Sequence, residues 1–210
     1  MSNQPARDIQ AAYQSLRNVL ADWGHDPLFV TITGVDLYGF HSPDSDYDQR
    51  GAIVLSAGIG QRRRKRRSTI FRIAEANGLE VDLVLHDIAK LRDMLAQGNA
   101  SILEEIHSPL VLLGQDVLAQ LRELSAGCLT RRAYFHYEGF ARSQFRKLEA
   151  QEQKLAKTLL YVYRILMTGI HALETGTLES NLPRLNEVFR FAFIPDLIAA
   201  KVHELSPLPD

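Results

Sequence analysis

The spacing of apolar residues changes character at Asp87: short β-like runs dominate before it, and helical periodicity holds after it. The first segment is the exception. From about Ala6 to Leu20, the residues Ile9, Tyr13, Leu16 and Leu20 recur at helical spacing. Trp23-Gly24 and the Asp26-Pro27 pair end that helix. Leu28 to Thr33 is short, apolar and β-branched, which predicts a buried strand closed by Gly34. Tyr38 to Asp46 is rich in Gly, Ser, Pro and Asp and predicts a loop with tight turns.

Further strands are expected at Gly51 to Leu55, Ser68 to Ile73 and Leu79 to Leu85. In the last of these, Val81, Leu83 and Leu85 alternate with Glu80, Asp82 and Val84, so Asp82 lies on the face opposite an apolar one. Beyond Asp87 the stripe Ile88, Leu91, Met94 and Leu95 predicts a helix. Asn99 or Ser101 would cap a short one through Ile106, with Glu104 three residues after Ser101. Longer helices are expected at Gln115 to Leu124, Arg131 to Lys154, Lys157 to Glu174 and Pro183 to Glu204, with Pro195 kinking or breaking the last. On the second of these, Tyr134, Tyr137, Ala141, Phe145 and Leu148 form the expected apolar stripe.

The fold class that follows is α+β: a small mixed β-sheet core with flanking helices, then a C-terminal helical bundle. Gly127 interrupts the pattern between Ser125 and Thr130, which suggests a core over residues 1–126 and a helical part over residues 127–210.

Composition changes this picture little. The chain has 210 residues, 46% hydrophobic and 23% charged, and a net charge of −1. It therefore has enough length for a proper core and no global field that selects a nucleic acid or a membrane. Basic charge is concentrated in Arg62 to Arg67, where contact with an RNA or DNA backbone competes with a solvated loop. A single cysteine, Cys128, excludes an internal disulfide framework. No apolar run approaches a membrane span and no apolar signal core is present, so a soluble, cytoplasmic protein is expected.

The candidate chemistry rests on three carboxylates. Asp46 and Asp48 stand two apart, so an extended backbone points both to one face. Asp82 looks out from another strand. Three such groups converging would repel one another unless hard divalent cations relieved them, and oxygen-only ligands favour Mg2+ or Mn2+. Gly34 and Gly39, in the turn before the pair, allow backbone amides to approach phosphate oxygens.

These residues carry a resemblance. The run Thr33 to Gly51 resembles the signature of the DNA polymerase beta-like nucleotidyltransferase superfamily: a glycine pair or Gly-Ser, a loop of about ten residues, then Asp-x-Asp. Within it, Tyr38 to Gly51 is similar throughout to the Tyr-Gly-x-x-x-Pro-x-Ser-Asp-x-Asp-x-Arg-Gly run of the RNA repair pathway DNA polymerase beta family. Val81 to Leu91 looks like the strand and helix of the third carboxylate, and Gln97 to Glu105 like a Gly-Asn-Pro-x-x-Leu-Glu run with Ala100 for proline. Lys157 to Gly176 looks like the C-terminal helical motif.

The resemblance implies a two-metal nucleotidyltransferase that takes a nucleoside triphosphate and passes a nucleoside monophosphate to an acceptor such as an RNA or DNA end. Asp46, Asp48 and Asp82 would be its catalytic and metal-holding residues. Gly34, Val35, Tyr38, Gly39, Ser45, Lys157, Tyr161 and Arg164 would bind the nucleotide. Lys157, Tyr161 and Arg164 recur at helical spacing, on a side expected to face away from Leu159, Val162 and Leu166. The superfamily usually has serine or glycine where Val35 stands, and Asp36 replaces an often basic residue. That departure motivates a second reading, a nucleotide- or RNA-binding sensor with impaired turnover.

Overall fold

The computed structural model describes residues 9–21, 26–42, 45–55, 69–76 and 79–202. The basic run Arg62 to Arg67 lies outside the described residues.

Alternation in the early runs builds a sheet with two different faces. Its five strands are β1 (Pro27–Ile32), β2 (Tyr47–Ile53), β3 (Thr69–Ala76), β4 (Leu79–Asp87) and β5 (Val111–Leu113), in the order β3-β4-β2-β1-β5. β2 and β4 run parallel, and the other neighbours are antiparallel. On one face Val30, Ile32, Tyr47, Val81, Leu83 and Leu85 pack against Ala12, Leu16 and Val19 of helix α1 (Ile9–Ala21). Gln49, fully buried on that face, donates to the Ala12 carbonyl.

The other face carries Phe29 and Ala52. They pack beneath α3 (Ile88–Ala96), α4 (Ala100–His107) and α5 (Gln115–Ser125) through Leu91, Leu95, Ile102, Leu103, Ile106 and Leu118. Each such buried aliphatic side chain contributes about 1.5–3 kcal/mol relative to exposure. Asp87 caps α3 by accepting from Ala89 N–H, and Asn99 caps α4 by accepting from Ile102 N–H.

The helical half comprises α6 (Arg131–Ala150), α7 (Ala156–Thr175), α8 (Leu182–Phe189) and α9 (Ile194–Val202). An apolar cluster joins α7, α8 and α9, through Leu160, Met167, Leu182, Leu185, Ile194 and Ile198, to Val35, Leu37 and Phe40. A second joins Ala100 of α4 to Ala133, Tyr137 and Ala141 of α6 and Ile165 of α7.

Five features differ from the pattern read along the chain, the first being β5, since no strand is expected at Val111 to Leu113. Between β1 and the loop expected from Tyr38, where the pattern marks no element, Gly34 to Tyr38 forms a short helix, α2, ended by Gly39 in the left-handed region. β2 begins at Tyr47, ahead of the expected Gly51, because pairing with β4 extends it over the polar residues Asp48 to Arg50. The last helix breaks at Arg190, which adopts φ 59 as the cap of α8, so Pro195 merely opens α9 where its missing N–H costs nothing. The inward stripe of α6 is Ala133, Tyr137, Ala141 and Leu148, while Tyr134 and Phe145 are exposed. Among the described residues, no helix is long and apolar enough to cross a membrane.

Candidate active site

β2 and β4 lie parallel with Asp48 opposite Asp82 and Arg50 opposite Val84. Because side chains alternate along a strand, Asp48, Arg50 and Asp82 project on the face opposite α1. The helices α3 to α5 cover only the farther part of that face, over Ala52 and Phe29. This open part of the sheet is where the charges collect.

The Arg50 guanidinium stands between the two carboxylates. Its Nη2 donates to Asp48 Oδ1 at 2.6 Å and to Asp82 Oδ2 at 3.1 Å. Its Nη1 donates to the carbonyls of Gln49 at 2.9 Å and Asp82 at 2.7 Å. Partial burial pushes the Asp48 carboxyl above the ordinary carboxylate range, opposed by Arg50 and reinforced by Asp46, Asp82 and Asp36. Asp46, one residue before β2, is thus close enough for its charge to reach Asp48 and also Tyr161.

The three aspartates do not stand as a closed ligand set: among the described residues no three carboxylate or imidazole groups cluster at coordinating distance. Two of them share one cationic nitrogen instead. The donors are all carboxylate oxygens, a guanidinium stands in for the positive charge they require, and both aspartates are partly solvent-accessible. That donor set suits a hard divalent cation.

A cavity of about 310 Å3 opens beside Asp48 and Arg50, with Gly34, Tyr38, Glu105 and Tyr161 among its walls. Gly34 has φ +62, and a Cβ there would overlap the Asp48 carboxylate and stand 2.7 Å from its Cγ. The Tyr161 ring meets Tyr38 and Phe40 edge-on, with centroids 5.7 and 5.6 Å away. Burial, then the charge of Asp48, pushes its hydroxyl up to about 12, so it stays a hydrogen-bond donor at neutral pH.

Arg164 occupies a different place from the one its helical spacing suggested. It is wholly buried, and Nη1 donates to Glu104 Oε1 at 2.5 Å while Tyr38 Oη donates to Glu104 Oε2 at 3.2 Å. The guanidinium carbon lies 3.9 Å from the Tyr38 ring centroid. Burial works against its charge, but Glu104 outweighs that and its pKa is raised. The inward face of α7 is therefore the one carrying Leu160, Arg164 and Met167, and Leu166 is exposed. Arg164 binds α7 to α4 and α2 rather than presenting a wet cationic face. Lys157 is exposed in the first turn of α7 and does not line the cavity.

The Val35 side chain also points inward, into the apolar cluster of α7 to α9, so only its backbone could meet a phosphate. Gly39 has φ +79 and lies against Asn181, a residue before α8. The Ser45 hydroxyl lies 2.9 Å from that of Ser42 and accepts from Lys201 Nζ at 3.2 Å. Lys201, nearly buried, also donates to Ser42 Oγ at 2.5 Å, so α9 holds the loop that leads into Asp46.

The sequence pattern of the RNA repair pathway DNA polymerase beta family matches residues 9–205, nearly the whole described chain. The protein belongs to that family. An uncharacterised protein of Methanocaldococcus jannaschii is 30% identical over 155 residues, which cover 74% of this chain and 63% of that relative. The crystal structure of a nucleotidyltransferase-like protein from Exiguobacterium sibiricum overlaps 95% of this chain and 69% of its own, with 12% identity and a TM-score of 0.41. The chain thus spans a little under two thirds of the length of that Methanocaldococcus relative.

For this member of the RNA repair pathway DNA polymerase beta family, the residues overlooked in the sequence are Arg50, Glu104, Glu105 and Lys201. Arg50 was visible as the arginine two places after the Asp-x-Asp pair. Glu105 had a weak signal, at the edge of the Ile102, Leu103 and Ile106 stripe, whereas Glu104 falls on the opposite side of α4 and is buried there against Arg164 of α7. Lys201 had none, since its partners lie 156 and 159 positions away.

Proposed function

We propose that the protein transfers a nucleoside monophosphate from a nucleoside triphosphate to an acceptor, depends on Mg2+ or Mn2+ and releases pyrophosphate. The single observation that carries this reading is the register of the parallel pair. It sets Asp48 beside Asp82 with one guanidinium nitrogen bonded to both, next to a cavity and to the Gly34 turn.

In this reading Asp46, Asp48 and Asp82 hold the cations through carboxylate oxygens. When bound, two such ions lower the cost of charge on the attacking and leaving oxygens of an in-line displacement. Asp82, on the outer of the two paired strands, orients the attacking hydroxyl of the acceptor and takes up its proton. Gly34, lacking a Cβ, leaves room for the Asp48 carboxylate, and its bare backbone amide would be the group that meets phosphate oxygens. Tyr161 offers a protonated hydroxyl to the nucleotide from the cavity wall. Glu104 and Arg164 hold Tyr38 in place from behind. The family name favours an RNA end as the acceptor.

A second reading has one observation on its side. The charge of Asp36 reaches Asp48 and adds to the repulsion there, which would oppose a triphosphate as well. A protein that binds nucleotide with metal but does not turn it over would be a sensor.

The test is incubation of the full chain with each labelled nucleoside triphosphate, Mg2+ or Mn2+, and RNA ends, DNA ends and small acceptors. Label on an acceptor, with stoichiometric pyrophosphate and loss of both in Asp48→Asn, is the expected result. Tight, metal-dependent nucleotide binding without pyrophosphate would instead select the sensor. Absence of any metal-dependent nucleotide binding would defeat both.

A further inference from the structure

Arg50 has acidic groups on both sides. On one side are Asp48, two residues back on its own strand, and Asp82 on β4, to which it is bonded. On the other side its cross-strand neighbour in β1 is Thr31, and the Thr31 hydroxyl donates to the Glu105 carbonyl at 3.0 Å. Glu105 therefore sits over the strand next to Arg50, and both line the same cavity.

Glu105 is 3% exposed, and its Oε1 has no hydrogen-bond partner among the described residues. A buried carboxyl with an unused oxygen is costly unless some state of the protein supplies a partner. Arg50 is the cation whose charge Glu105 feels.

We infer that Arg50 is the resident counter-cation of Asp48 and Asp82, and that Glu105 receives its guanidinium when a divalent cation takes its place. The inference rests on the nucleotidyltransferase reading, since it needs a cation at the two aspartates. Arg50 and the metal compete for the same oxygens, so without an alternative partner the displaced guanidinium would lie beside a like charge. Glu105 offers that partner across the width of one strand. A metal shifts the arginine between two positions only by as much as its affinity for the two states differs, and Glu105 lowers the free-energy gap that this difference must overcome. Once moved, the guanidinium faces the cavity beside Glu105, where it can meet phosphate oxygens.

Mn2+ titration of the full chain without nucleotide, followed by the electron paramagnetic resonance signal of free Mn2+, tests this independently of turnover. Arg50→Gln should bind Mn2+ about fivefold or more tightly than wild type, and Glu105→Gln about fivefold or more weakly. The double variant should match Arg50→Gln, because Glu105 matters only through the arginine. Arg50→Lys keeps the charge but cannot bridge two carboxylates, and should fall between wild type and Arg50→Gln; it also serves if Arg50→Gln fails to fold. Unchanged or weaker binding by the arginine variants, or wild-type affinity in Glu105→Gln, would overturn the inference while leaving the enzyme reading intact. No Mn2+ binding by wild type, or binding that survives in Asp48→Asn, would remove the metal site and the inference together.

Discussion

Gly34 and Asp48 share one small volume: the position a Cβ would take on residue 34 is filled by the Asp48 carboxylate. The glycine is also held at φ +62, a region that costs an L-residue about 1 kcal/mol or more. The turn after β1 thus has two independent reasons to lack a side chain. Gly34→Ala should push Asp48 off its register with Asp82 and lower transfer on the order of a hundredfold. Steady-state rates with Mg2+ and a nucleoside triphosphate, read beside Mn2+ affinity, check this. Normal affinity and rate in that variant would mean that the carboxylate is free to sit elsewhere.

Asp48 and Asp82 should be equally indispensable to the chemistry yet weak contributors to stability. Each is partly exposed and paired to Arg50, and such a pair is worth roughly 1 kcal/mol or less. Asp48→Asn and Asp82→Asn should each abolish metal-dependent transfer while moving the urea midpoint little. A variant retaining wild-type turnover would remove that carboxylate from the mechanism.

The buried pair of Arg164 and Glu104 should behave in the opposite way. Removing one partner strands the other charge in the core, at a cost of about 3–5 kcal/mol. Replacing both with apolar residues of similar volume avoids that cost. Arg164→Met should therefore be far less stable in urea than the double variant Arg164→Met/Glu104→Leu. The double variant should still lose nucleotide affinity, since Tyr38 would no longer be held between Glu104 and the guanidinium. Equal stability of single and double variants would show that the pair is not coupled.

Val35 marks the point where family analogy and packing diverge. Its side chain is 4% exposed among the apolar residues of α7 to α9, so a serine there would gain no view of the cavity. Val35→Ser should cost roughly 1–3 kcal/mol through lost burial and an unpaired hydroxyl. Nucleotide affinity should not improve, as judged by calorimetry with metal present. A gain in affinity would show that residue 35 faces the phosphates.

The same contrast explains how much of the site could be read along the chain. Asp82 was legible because its strand alternates cleanly, Val81, Leu83 and Leu85 being buried against α1. Its pairing with Asp48 depends on register, which alternation alone does not determine. Arg164 was misjudged because a 20-residue helix with apolar residues on several sides has no unique inward face. Only its neighbours decide that Leu166 goes outside and the arginine inside. The short helix at Gly34 was hidden because five residues carry too little periodicity, and its burial comes from Leu160 and Leu185, more than a hundred positions away.

Glu105 should give the folded protein a distinctive pH response. Burial, eased by Arg50, pushes its carboxyl up to about 8 from an ordinary 4.5. Below the ordinary value both folded and unfolded chains hold the proton, so the group contributes no difference. Between the two values the unfolded chain releases it and the folded chain keeps it, so the folded state binds more protons and loses stability as pH rises. Above about 8 the loss is complete. Glu105→Gln has no such proton to lose. Its thermal midpoint relative to wild type should therefore rise steadily from pH 5 to pH 8, by a few degrees or more, and level off beyond. Saturating Mn2+ should flatten the wild-type curve over the same range if Arg50 then pairs with Glu105, because a charged partner favours the ionised carboxyl. A constant difference between the two proteins across that range would show that Glu105 is already ionised in the metal-free fold.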